Sequence, residues 1–172
     1  SSKLKEEYAG FNVVALEDGD VFLNVLKLVT IPGHTKDSSG VLDTRTKTLI
    51  SGDSLQLYGI YGSGKWGANI RLIGEHINAV EKLRSMDIDT ILTAHDYHPC
   101  GHMYSGKKEV LYALDMCVEP LYKIKYLITE NSGADDEKIC NIYNNTDKLP
   151  TLGVHVVTAV REYFSGDYYE TK

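Results

Sequence analysis

Hydrophobic residues fall in short blocks over the first half of the chain and in three- and four-residue periods over the second. The run FNVVAL at 11–16 predicts a strand. The polar stretch EDGD follows, with Asp18-Gly19 a favoured hairpin pair. Residues 21–31, VFLNVLKLVTI, predict a second strand, apolar on both faces in places and therefore buried. Short strands at 41–43 and 48–50 flank the polar turn TRTK. The segment SGDSLQLYGIYGSGKWGAN has no period and reads as a long functional loop that gives way to a helix near Ala68-Asn69.

Two helical stripes come next. Ile70, Ile73, Ile77, Val80 and Leu83 share one face, as do Val110, Leu114, Cys117, Leu121, Ile124 and Ile128. Pro120 lies inside the second stripe and should kink or split that helix. Between the stripes, residues 88–93 predict a short buried strand opening onto the loop AHDYHPCGH. ADDEKICNIYNN predicts a short helix, while LGVHVVTAV in the last stretch is compatible with strand or helix. The sum is a mixed α/β layer arrangement, β-hairpins then helix, strand and helix, with helices covering a sheet face and a helical extension over about 107–172.

Composition narrows the class. A chain of 172 residues with 42% hydrophobic and 24% charged residues suits one soluble globular domain. No apolar run approaches a membrane span, and SSKLKEEYAG lacks a signal-peptide core. A net charge of −6 disfavours nucleic acid as a partner. Cysteines 100, 117 and 140 are odd in number and scattered, which argues for a reducing, cytoplasmic setting rather than a disulfide framework.

Three sites share one physical form: an apolar strand ends, small residues follow, and a metal-competent side chain stands at the exit. They are TIPGHT with His34, TLISGDS with Asp53, and TILTAHD with His95. Such a donor is carried by a rigid element yet faces open space. Two imidazoles and a carboxylate suit zinc or iron. Each residue also has a plain structural role open to it: His34 after a Pro-Gly turn, Asp53 as a turn or cap residue, His95 as the mouth of a loop.

The segment IPGHTKDSSGVLDTRTKTLISGDS, together with the later TILTAH, resembles the second half of the metallo-β-lactamase fold, the likeness covering about residues 11–105. The resemblance implies that His34 binds a first metal, Asp53 bridges two, and His95 binds the second. It also implies hydrolytic chemistry on an ester, thioester, lactam or phosphodiester, with zinc as cofactor and iron or manganese as alternatives. The family's His-x-His-x-Asp-His loop is absent: none of the six histidines precedes His34. The chain is therefore expected to be the C-terminal portion of such a domain, holding one metal or none and turning over little by itself. The alternative is a non-catalytic binding or assembly module that kept the scaffold and lost the metal loop.

Other candidates are weaker. His95, His98, Cys100 and His102 offer a replacement metal site, or are exposed loop residues around a packing cysteine. GIYGSGKW matches G-x-x-x-x-G-K, but Trp66 stands where a phosphate loop needs Ser or Thr. Tyr58, Tyr61 and Trp66 either shape a small-molecule substrate pocket beside His98 or cap the core. His76 reads as exposed and His155 as a core histidine. Twelve tyrosines suit an interface, so a homodimer or the missing N-terminal half-domain is the expected partner.

Overall fold

Side chains alternate across a strand, so register decides what each apolar residue meets. The computed structural model describes residues 8, 10, 11, 13–99, 101–146 and 149–166. Six strands, β1 (Val21–Phe22), β2 (Leu26–Thr30), β3 (Ser39–Asp43), β4 (Thr48–Ile50), β5 (Thr90–Tyr97) and β6 (Gly101–Ser105), form one sheet in that spatial order. Every pairing is antiparallel except β4 with β5. A parallel pair needs a crossover. Here the crossover holds a 3-10 turn (Gly52–Ser54), the long loop and helix α1 (Ile73–Ser85). Helices α2 (Lys107–Glu130), α3 (Asp136–Thr146) and α4 (Val154–Ser165) follow. Among the described residues no helix is long and apolar enough to cross a membrane.

One cross-strand row, Leu42, Leu49, Ile91 and Tyr104, is buried with Val29 and Ile31 under α1 and α2. The opposite face carries a second apolar row, Leu28, Val41, Ile50, Leu92 and Met103, aligned residue against residue. No helix covers it to the same degree: Ile50 is 52% and Met103 59% exposed. A second cluster joins Ala68, Ile70 and Ile73 to Leu121, Ile124, Tyr143, Val156 and Val160, tying the three later helices to the start of α1.

Several expectations are corrected. Residues 13–17 form no strand, and Phe11 and Val14 lie exposed. Apolar composition makes a strand only where a partner ladder takes up the backbone groups. The strand expected over 21–31 breaks into β1 and β2 at Leu23 and Asn24, both with positive φ, as a tight hairpin turn requires. Asn tolerates that geometry and Leu does not advertise it. α2 runs through Pro120 without splitting. α1 begins at Ile73, not near Ala68-Asn69. The strand expected over 88–93 runs instead over Thr90–Tyr97 through an irregular register and pairs with β6, so His95 lies inside the strand rather than at its exit. The open choice at 150–172 resolves to helix over Val154–Ser165.

His76 and His155 exchange places with expectation. His76 is fully buried. It stands three residues after Ile73 and four before Val80, so it shares their face of α1. His155 is exposed on α4, turned away from buried Val156, Val157 and Val160.

Candidate metal centre

β2 gives way to Ile31, and Gly33 then turns the chain with φ +149. Its carbonyl accepts the backbone N–H groups of Arg71 and Leu72 at 2.8 and 3.0 Å. A Cβ on Gly33 would stand 2.5 Å from His76 Nδ1. Glycine is therefore required by a close approach as well as by φ. His34, half-buried, is carried on this corner. Asp53 sits in the 3-10 turn after β4, and His95 lies within β5. The parallel pairing of β4 with β5 sets these last two side by side.

His34, Asp53 and His95 line one cavity of about 240 Å³ with Gln56, Ile60, Trp66, Gly67, Asn69 and Tyr97. His95 Nε2 is 3.2 Å from Asp53 Oδ1. The Tyr97 hydroxyl donates to the same oxygen at 3.1 Å. Burial, reinforced by the Asp53 charge, pushes the Tyr97 phenol pKa up, so it stays a donor. His34 Nδ1 lies 2.8 Å from the Asn69 carbonyl oxygen and 3.0 Å from Gln56 Nε2. Gln56 Nε2 also donates to the Asp53 carbonyl at 3.0 Å, and its Oε1 accepts the Asn69 N–H at 2.7 Å. Asn69 Oδ1 reaches on to His155 Nε2 at 2.7 Å.

The donor chemistry fits a cation at the Asp53–His95 pair. Two donors on one tetrahedral zinc, each with a bond of about 2.1 Å, stand about 3.4 Å apart, close to the separation seen here. His34 is on the cavity wall, but among the described residues no three His, Cys, Asp or Glu side chains are gathered closely enough to hold an ion together. Asp53 and His95 touch directly at 3.2 Å, and the three side chains do not form one cluster.

The remaining candidates separate. Trp66 lines the cavity. His98 stacks on Tyr61 with ring centroids 5.7 Å apart and meets Tyr58 edge-on at 6.2 Å, forming an aromatic group outside the lining. Burial and a hydrogen bond to Glu119 push the Tyr58 phenol pKa up. His102 is exposed on β6, and Cys100 lies outside the described residues. Sequence reasoning missed Gln56, Asn69 and Tyr97. The one signal was Gln56 itself, a polar residue between Leu55 and Leu57, all three buried in a loop directly after Gly52-Asp53.

No protein-family model matches the chain, and no curated protein matches it in sequence. Solved structures do. A metallo-beta-lactamase family protein from Thermus thermophilus superposes with a TM-score of 0.60 at 15% identity, over 92% of this chain and 50% of its own. A double mutant of the sec-alkyl sulfatase PisA1 gives 0.56 at 15% identity, over 93% of this chain and 27% of its own. The chain thus spans about half the length of the first and about a quarter of the second. These superpositions show that the chain has the metallo-β-lactamase fold over the part of it that it spans.

Proposed function

We propose that the chain carries the second part of the active site of a metal-dependent hydrolase, with His34, Asp53 and His95 as ligands. The observation that carries this reading is that His34, Asp53 and His95 line one cavity, two of them 3.2 Å apart. A bound zinc, iron or manganese ion supplies a water of lowered pKa and positive charge against a developing oxyanion. The chain's own residues do the rest. Tyr97 holds the Asp53 carboxylate through Oδ1. Asn69 and Gln56 hold the His34 ring. Ile60 and Trp66 give the cavity an apolar wall against which a substrate packs. On this reading the partly exposed row of Leu28, Val41, Ile50, Leu92 and Met103 receives a second layer, from further chain or from a second copy.

One observation favours a non-catalytic scaffold: the triad is not gathered among the described residues. Metal analysis separates the two readings. The chain is dialysed against zinc, and bound metal is measured by mass spectrometry, with emission of its single tryptophan, Trp66, as a second signal. Binding that falls at least tenfold in Asp53→Ala and His95→Ala supports the ligand assignment. Equal metal content in wild type, His34→Ala, Asp53→Ala and His95→Ala defeats it.

A further inference from the structure

Gln56 is the polar residue at this cavity whose bonds run to both the His34 ring and the Asp53 main chain. It is 7% exposed, so its amide has little water to fall back on. The orientation of that amide is fixed without reference to His34. The Asn69 N–H needs an acceptor and receives Oε1 at 2.7 Å. The Asp53 carbonyl needs a donor and receives Nε2 at 3.0 Å. The flipped amide would set donor against donor and acceptor against acceptor.

With Nε2 fixed, its other hydrogen is available to His34 Nδ1, 3.0 Å away. The Asn69 carbonyl, 2.8 Å from the same Nδ1, can only accept. His34 therefore stands between a donor and an acceptor that demand opposite tautomers. If Nδ1–H donates to Asn69, Nε2 keeps a lone pair for the cavity. If Nδ1 accepts from Gln56, Nε2 carries hydrogen and cannot ligate. We propose that Gln56 is a positioning residue: it ties the Asp53 main chain to the His34 ring and sets whether Nε2 of that ring offers the cavity a lone pair or a hydrogen. This rests on the reading of His34 as a ligand. In the metal-free chain Gln56 holds part of the His34 population in the non-ligating form, and apparent affinity is reduced by the fraction withheld.

The test reads the tautomer directly, without metal. Nitrogen-15 NMR of the full chain in mildly alkaline solution distinguishes Nδ1–H from Nε2–H imidazole at His34. Wild type is expected to show a substantial Nε2–H population. Gln56→Glu replaces the donor with an acceptor and should shift the ratio toward Nδ1–H by about fivefold or more, the ratio one hydrogen bond commands. Gln56→Leu removes the donor without adding charge and should shift it the same way, which covers failure of either variant to fold. A His34 ratio unchanged in both, or a wild type wholly in the Nδ1–H form, overturns the proposal. Because no metal is present, a shifted tautomer in a chain that never binds zinc keeps the positioning role and rejects only the metal reading.

Discussion

Acid should destabilise this protein through His76, and burial sets the size of the effect. The ring is fully buried, with its Nε2–H donating to the Cys117 carbonyl at 3.2 Å. Nδ1 faces Gly33 and has no hydrogen-bond partner. Burial, opposed in part by the Cys117 and Pro32 carbonyls, which favour a protonated ring, pushes the imidazole pKa down to about 4. An unfolded histidine titrates near ~6.5. Between those values the unfolded chain binds a proton that the folded chain refuses, so stability rises with pH across the window. Above about pH 6.5 the ring is neutral in both states and costs nothing. Below it the loss grows to about 2 kcal/mol at pH ~5 and about 3 kcal/mol at pH ~4, then levels off. Domains of this kind hold roughly 5–15 kcal/mol in total. The assay is urea unfolding at a series of pH values, on wild type and on His76→Gln. Glutamine keeps a donor for Cys117 but does not titrate. Carboxylates titrate in both proteins, so the difference isolates His76. Wild type should lose about 2 kcal/mol more than the variant between pH ~7 and ~5. Parallel stability curves across that range would refute the argument.

Gly33→Ala should be strongly destabilising, because the new Cβ meets the His76 ring and φ is +149. About 3 kcal/mol is expected from backbone strain and overpacking. For a chain of this length that lowers Tm by about 6–12 °C in calorimetry, and a shift within about 2 °C would show that the corner relaxes freely. The partly exposed apolar row, with Ile50 and Met103 the most open, should drive association of the isolated chain. Light scattering should show wild type growing in mass with concentration and the Ile50→Lys, Met103→Lys double variant staying monomeric. A wild type that is a clean monomer at high concentration speaks against a second copy as the covering layer.

Local chemistry made much of this protein legible. The strand exits at His34 and Asp53 could be read from apolar runs that stop at Pro32-Gly33 and Ser51-Gly52. The stripes of α1 and α2 could be read from their spacing, since neighbours three and four apart share a face whatever the rest of the chain does. The break at Leu23-Asn24 could not, because Leu gives no warning of positive φ. His76 and His155 were misplaced because a histidine's burial depends on what packs against it, not on its polarity.

The sequence by itself determined the polar side chains that follow β2 and β4 and the period of the two long helices, because these depend on residues a few positions apart. Only the tertiary structure decided which donors meet. His95 and Asp53 lie 42 positions apart and touch because the crossover through α1 lays β5 beside β4. Gln56 reaches across to His34 and Asn69 only once the loop folds over the strand ends. The apolar row from Leu28 to Met103 exists only in register. Such contacts are settled by sheet pairing and packing over long chain separations, which no local pattern encodes.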